Sequence, residues 1–346
     1  MTWATIATRN PMGQQHYETE VQKAITALAD SRFDFHGLRV TSLRSDIDGA
    51  RRTPVGLNER APFLVALAVG AATYRTTALV HRFDLRLPPH PGPEVITAHD
   101  LPPARFDDEG GLPRSIAAGA RRARVVIAPS EFAAAELRDL LDVSRIKVIP
   151  YGLSAPYDDP RPAERRVLTG LGIDGPFLVH AAGASARKNL DGLAAAWKII
   201  SAREPDLRLV LCGPPDARRD DTFAGLSNVI KTGRLQPDVV AGVMSHAEVV
   251  IVPSTYEGFG LPALEGMACG RPVVAAARGA LPEVCADAAL LVEPDGKSLA
   301  AGIATILTDD EERNRLMTAG PRRAASFSWD VAARRHLEVY AEALGM

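Results

Sequence analysis

Cysteine is scarce in this chain: Cys212, Cys269 and Cys285 are 3 residues among 346, widely spaced and without a Cys-x-x-Cys pair. An odd, scattered set supports neither a disulfide framework nor a cysteine zinc site, and a reducing cytoplasm fits it best. Net charge is nearly absent too. With 42 acidic against 40 basic residues and a formal net charge of -2, no global field draws the chain to nucleic acid or an anionic membrane. Any phosphate binding must therefore be local. Long apolar runs are missing: the longest, residues 63–72, is too short to span a bilayer, and MTWATIATRN lacks a charged segment followed by an apolar one. Membrane contact is expected to be peripheral at most. No repeat at a fixed period and no low-complexity tract is found. No Asp-rich triad is read behind a strand where it would hold a metal between phosphates.

Hydrophobic residues make up 46% and charged ones 24%, the balance of an ordinary globular protein, and the length suits two domains of about 150–200 residues. Short runs rich in Val, Ile and Leu recur at 94–98, 125–128, 147–149, 177–180, 207–212, 249–252 and 273–275. Lacking polar alternation, they predict strands covered on both faces, hence parallel sheets in an α/β architecture. The segment SAPYDDPRPAERR, 154–166, with its prolines and charges, reads as the linker between two domains. The boundaries expected are 1–155, joined by a C-terminal helix over 328–346, and 166–327. That helix carries Ser328 as its N-cap and Trp329, Ala332, Ala333, Leu337 and Tyr340 on one face. Two doubly wound domains would set the carboxyl ends of their sheets opposite one another across a cleft, which suits a reaction with two substrates.

The most informative stretch is VVIVPSTYEGFGLPALEGMACGRPVVAA, 249–276, which reads as strand, loop, helix and strand. Pro262 suits the first turn of a helix over about 261–268. Gly258 and Gly260 let backbone approach a ligand, and the helix N-terminus offers free N–H groups to acceptor oxygens. Glu265, one turn inside, can accept hydrogen bonds from two neighbouring hydroxyls, as a ribose presents them, while Glu257 faces whatever precedes the helix. A second segment, FLVHAAGASARKNLDGLAAAW, 177–197, runs from a strand into Gly183 and a small-residue loop, then Arg187 and Lys188 ahead of a helix that Asn189 can cap.

TYEGFGLPALEGMACGRPVVA resembles the E-x7-E signature of glycosyltransferase family 4, retaining enzymes of the GT-B fold: two Rossmann-like domains facing across a cleft, with a C-terminal helix crossing back to the N-domain. The resemblance implies that Glu265 binds the nucleotide ribose, that Glu257 lies beside the donor sugar, and that Gly258, Phe259, Gly260 and Leu261 meet sugar hydroxyls and phosphate. The segment with Gly183 and Arg187-Lys188-Asn189 is similar to the family's phosphate motif, which makes Lys188 the diphosphate ligand and Arg187 its helper. Residues 228–254 look like the strand, turn and helix leading into the signature, with Gly233 and Arg234 near the base. In 277–296, Gly279 and Ala280 would bring backbone close to the donor and Glu283 would cap the next helix.

The resemblance is weaker before residue 90. VITAHDLPPARF, 95–106, still matches a strand followed by His-Asp, which puts His99, with Asp100 behind it, beside the reaction centre. RNPMGQQHYETE, 9–20, stands where the family has a glycine loop; Gly13 is kept, a glycine pair is not, and Gln14, Gln15, His16 or Tyr17 could act instead. His81 and Asp84 read as core or loop hydrogen bonding, and Ser130 as a helix N-cap. The implied activity is transfer of a hexose or deoxyhexose from a nucleotide diphosphate sugar to a glycan, lipid or natural-product acceptor, without metal or other cofactor. GDP-mannose is slightly favoured, with UDP- and dTDP-sugars open. The alternatives are an inactive nucleotide-sugar-binding protein or a GT-B epimerase.

Overall fold

The computed structural model describes residues 1–8, 13–54, 62–74, 77–109 and 114–346. The chain divides into two compact units, residues 1–152 with 328–346, and residues 153–327. Each is built on one parallel sheet. In the first unit, β1 (Thr2–Ile6), β2 (His36–Ser42), β3 (Arg51–Thr53), β4 (Val80–Arg82), β5 (Glu94–Thr97), β6 (Val125–Ala128) and β7 (Ile146–Val148) form a seven-stranded sheet in the order β3-β2-β1-β4-β5-β6-β7. In the second, β8 (Phe177–Ala181), β9 (Arg208–Cys212), β10 (Val229–Gly233), β11 (Val249–Val252), β12 (Val273–Ala276) and β13 (Leu290–Val292) form a six-stranded sheet in the order β10-β9-β8-β11-β12-β13. The order reverses between β1 and β4 in one sheet and between β8 and β11 in the other. At such reversals the connections leave to opposite faces and open a crevice at the strand carboxyl ends, where ligands bind in sheets of this kind.

The apolar runs predict the central strands well. Every residue of β6, β11 and β12 is buried, as a strand covered on both faces requires. The expected pattern fails at β2 and β3, near and at the sheet edge, where His36, Arg39 and Arg52 are exposed. Core packing in the second unit centres on Trp197, 1% exposed, with Leu190, Leu193, Leu209 and Ile303 around it; its indole N–H donates to the Ser227 carbonyl at 2.9 Å. Among the described residues no helix is long and apolar enough to cross a membrane.

The proline-rich segment after residue 153 folds with the second unit. Leu153 N–H donates to the Phe327 carbonyl at 3.0 Å, Ala163 N–H to the Gly242 carbonyl at 3.1 Å, and Tyr157 is buried. The C-terminal helix, Trp329–Leu344, belongs to the first unit. Ser328 stands at its N-cap position with extended backbone, but its side chain makes no capping bond. What holds this helix is a buried polar chain. Tyr340 Oη lies 2.7 Å from His81 Nδ1, and His81 Nε2 is 2.9 Å from Thr97 Oγ1. Thr97 Oγ1 is 3.4 Å from Tyr17 Oη, which is 2.8 Å from His336 Nε2. His336 Nδ1 donates to the Ala332 carbonyl at 2.7 Å, so Nε2 accepts from Tyr17. Each member needs the others, because a buried donor or acceptor without a partner costs about 1–3 kcal/mol.

A buried ion pair ties β4 to β5. Arg82 Nε donates to Glu94 Oε2 at 2.9 Å, with side chains 2% and 1% exposed. Arg82 also donates to the Leu87 carbonyl at 2.6 Å, and Glu94 accepts from His90 N–H at 2.9 Å. We expect Glu94→Ala to destabilise the first unit by about 3–5 kcal/mol, because it strands the guanidinium, and Arg82→Met/Glu94→Leu to recover part of that loss. Urea denaturation of the three proteins measures the difference.

Candidate active site

The chemistry of the second unit gathers behind β8 and β11, the strands at its reversal. After β8 the chain passes Gly183, where a Cβ would meet open space, and makes a tight turn over Ala186–Lys188. Asn189 follows in a left-handed conformation and caps the Leu190–Ser201 helix by accepting from Gly192 N–H at 3.2 Å. Its amide also donates to the carbonyls of Pro253 at 2.9 Å and Pro294 at 2.7 Å, behind β11 and β13. The Arg187 carbonyl accepts from Thr255 N–H at 2.8 Å. Asn189 and Thr255 thus lock the cationic turn to the signature loop.

On that loop Glu257 is 5% exposed and ion-paired: Lys188 Nζ lies 2.6 Å from Oε1 and Arg187 Nη1 lies 3.5 Å from Oε2. Burial pushes this carboxyl upward, but the Lys188 and Arg187 charges outweigh it and hold it below the usual range, so it is ionised at neutral pH. Gly279, φ +60°, sits against the loop; a Cβ there would fall 2.7 Å from the Glu257 backbone N and O. Ala280 N–H donates to the Glu257 carbonyl at 2.9 Å. Phe259 is buried and meets Phe327 edge-on at 5.6 Å, which leaves its backbone to line the loop. Gly260, φ +101°, is the N-cap of the Leu261–Ala268 helix and has no side chain to cap it; Pro262 occupies the first turn.

Glu265 lies on this helix with a different environment. Burial raises its carboxyl to about 7, with the Lys188 charge and a hydrogen bond from Tyr157 pulling the other way. The two glutamates are thereby set apart, one held below the usual carboxylate range and one raised above it. Arg234 is exposed immediately behind β10. Glu283 falls within the first turn of the Leu281–Cys285 helix, whose N-cap position is Ala280.

In the first unit His99 follows β5 and its Nδ1 hydrogen-bonds the Tyr151 hydroxyl. Burial lowers its pKa to about 4, against a smaller opposite pull from Asp84, so the imidazole is neutral at pH 7. Gly13 does not lie in a loop: it begins the Gly13–Ala27 helix, which also holds Gln14, Gln15, His16 and Tyr17. Arg9 to Met12 of the expected glycine-loop segment lie outside the described residues. Gln14 donates to the Phe83 carbonyl at 3.2 Å and to Asp84 Oδ2 at 3.0 Å, and so bridges this helix to the loop after β4. Ser130 caps the Glu131–Leu141 helix through Ala133 N–H at 3.0 Å. One Asp-x-Asp does follow a strand, Asp46-Ile47-Asp48 behind β2; both carboxylates are exposed.

Residues 175–309, which contain both signature glutamates and the cationic turn, match the model of the family described as Glycosyl transferases group 1. The match covers the part of the chain that carries the candidate site. The chain is 33% identical over 212 residues to the MMP alpha-(1->4)-mannosyltransferase of Mycolicibacterium hassiacum, covering 58% of this chain and 49% of that protein. It is 34% identical over 221 residues to the D-inositol 3-phosphate glycosyltransferase of Xylanimonas cellulosilytica, covering 58% of this chain and 52% of that protein. The chain thus spans about half the length of these relatives. Sucrose-phosphate synthase from Thermosynechococcus elongatus superposes over 99% of this chain and 98% of its own with a TM-score of 0.77 at 24% identity, which shows the GT-B fold.

Two features of these units escape a reading by motif. Tyr157 is buried although its segment reads as a linker. Glu18, 4% exposed, has its carboxyl raised by burial to about 8 beside Gln14 and Asp84. Helical spacing flags Glu18 only as one more polar residue, since burial is decided by what packs over it. His99, His180 and His336 are all lowered to about 4, burial being the main cause. The unfolded chain protonates them near 6.5, so each contributes stability that is present above that pH and is lost as pH falls toward 4, at up to about 1.4 kcal/mol per pH unit. Glu265 acts in the opposite sense over the same range. We expect His336→Gln to flatten the acid limb of the urea midpoint between pH 6.5 and 4.5 by about one proton's slope; an unchanged slope would mean that the imidazole titrates as if exposed.

Proposed function

We propose that the protein is a retaining glycosyltransferase that moves a hexose or deoxyhexose from a nucleotide diphosphate sugar to an acceptor hydroxyl. The observation that carries this reading is the convergence, at the reversal of the second sheet, of two cations, an ionised glutamate and an uncapped helix N-terminus with Glu265 one turn inside. In this reading Glu265 accepts from the ribose hydroxyls. Lys188 has three N–H donors; Glu257 takes one, which leaves two for the diphosphate. Arg187 adds a second cation, and the backbone at Gly183, Gly258, Phe259, Gly260 and Leu261 supplies donors to phosphate and sugar oxygens.

As the bond from the anomeric carbon to the diphosphate breaks, the electron pair leaves with phosphate oxygen. Lys188 and Arg187 stabilise that charge where it develops. Glu257 is held beside the oxocarbenium-like sugar as an electrostatic and orienting group, and attack by the acceptor hydroxyl from the face the phosphate leaves, its proton passing to the departing phosphate oxygen, gives retention. His99, neutral at pH 7, serves the acceptor side as a hydrogen-bonding group. The paired cations make a divalent metal unnecessary in this scheme. The mannosyltransferase relative favours mannose as the sugar transferred, and Arg234 is assigned to the margin of the donor site.

Thermal stability measured in excess EDTA against GDP, UDP, dTDP and ADP tests the reading, because saturation at about 100 times Kd adds about 2.7 kcal/mol, a rise of a few degrees. One nucleotide family should shift Tm, and Glu265→Ala should abolish the shift. Lys188→Ala should lower kcat/KM by about a hundredfold or more while the protein remains folded. No shift with any nucleotide, with or without Mg²⁺, would refute the assignment.

A further inference from the structure

We propose that Arg219 is a positioning residue for the donor diphosphate: its buried guanidinium fixes and polarises the Ala182–Gly183 peptide, so that the Gly183 N–H becomes a strong donor to a phosphate oxygen. This rests on the reading of the loop after β8 as part of the phosphate site and adds a residue that neither motif contains.

Arg219 belongs to the Ala217–Thr222 helix, which Asp216 caps by accepting from Arg218 N–H at 2.9 Å and Arg219 N–H at 3.4 Å. The residue is only 3% exposed. Its Nη1 donates to the Pro214 carbonyl behind β9 and its Nη2 to the Ala182 carbonyl behind β8, both at 2.5 Å. Gly213 makes room for the guanidinium: a Cβ there would fall 2.2 Å from the Ala182 carbonyl oxygen and 2.6 Å from Arg219 Nη2. Ala182 is held on its other side as well, its N–H donating to the Cys212 carbonyl at 3.1 Å. Arg219 thus stitches the loops after β8 and β9, as Lys188 and Glu257 stitch those after β8 and β11.

A guanidinium stays charged in a protein, and a buried charge is costly unless an opposite charge meets it. Among the described residues Arg219 forms no ion pair, and its buried Nε–H has no partner. The charge is passed instead to Ala182. In a trans peptide the carbonyl and the following N–H point in opposite directions, so a cation on the Ala182 oxygen leaves the Gly183 N–H facing away and strengthened as a donor. No described group accepts from that N–H, and a Cβ on Gly183 would meet open space. A phosphate oxygen placed there receives a polarised donor, and its negative charge completes the buried cation. The balance of charge agrees. Glu257 takes up one of the two charges on Lys188 and Arg187, whereas the diphosphate of a nucleotide sugar carries about two, and Arg219 supplies the second.

The test is nuclear magnetic resonance of the full chain with isotope labels on the alanine carbonyl and the glycine nitrogen, which together isolate the Ala-Gly peptides; Gly183→Ala assigns the signal. GDP, UDP, dTDP and ADP are titrated in parallel. Saturating the wild type with its preferred nucleotide should move the Gly183 amide proton downfield. Arg219→Met should weaken binding of that nucleotide roughly tenfold and shrink the displacement at saturation. Arg219→Lys, which keeps the charge but not the paired bonds, should fall between, and is judged by the same two readouts if Arg219→Met does not fold. Arg218→Gln, which removes a surface charge from the same helix, should change neither. Weaker binding with the full displacement would make Arg219 a packing residue and overturn the proposal, as would wild-type affinity in the folded variant. An unmoved Gly183 amide in a wild type that binds a nucleotide would overturn it and leave the donor site standing. No binding of any probe by the wild type would remove the donor site and the proposal together.

Discussion

The Lys188–Glu257 ion pair joins the two loops that leave β8 and β11, the strands between which the second sheet reverses its order. Much else in this unit answers to it. A cation and an anion taken out of water require close geometry and further partners, or the desolvation cost exceeds their attraction. Arg187 supplies a second cation to the carboxylate, and Asn189 and Thr255 stitch the flanking backbone so that the pair cannot drift apart. Gly279 lets a third loop press against Glu257 where any side chain would collide.

Two glutamates eight positions apart are given different chemistry by this arrangement. Glu257 is buried among cations and stays ionised, whereas Glu265 is half-buried with one cation nearby and its carboxyl is raised to about 7. A fixed anion and a tunable acceptor on one short loop and helix suit a ligand that presents both a reacting sugar and a neutral diol. The first unit uses burial in another way. His81, Thr97, Tyr17, His336 and Tyr340 form a neutral hydrogen-bonded chain that fastens the C-terminal helix, and the same burial keeps His99 uncharged.

Legibility in the sequence followed how local the cause was. β6, β11 and β12 are continuous apolar runs, and such runs are stable only between two covered faces, so they could be read directly. The Leu261–Ala268 helix was readable from Pro262 and the glycines before it. β4 was not among the apolar runs, because His81 and Arg82 interrupt the pattern and only Tyr340 and Glu94, remote in sequence, satisfy them in the core. Gly13 was misplaced in a loop because its left-hand neighbours carry the turn signals, while the helix beginning there is set by Tyr17, Val21 and Ile25 packing inward. The segment around Tyr157 was read as a free connector for a similar reason: its prolines and charges dominate the local pattern, and its partners are distant in sequence.

By itself, then, the sequence determined the α/β class, the central strands, the strand-loop-helix unit that carries Glu257 and Glu265, and the cationic turn with Lys188. Each of these depends on residues close together along the chain, through periodicity, turn chemistry or capping. Only the tertiary structure decided that Lys188 and Glu257 pair, that the two glutamates titrate apart, that the proline-rich segment belongs to the second unit, and that Tyr157 is buried. Those outcomes depend on burial and on charges brought together from remote positions. Dielectric environment and partner identity are properties of the packed chain, and no local stretch of sequence contains them.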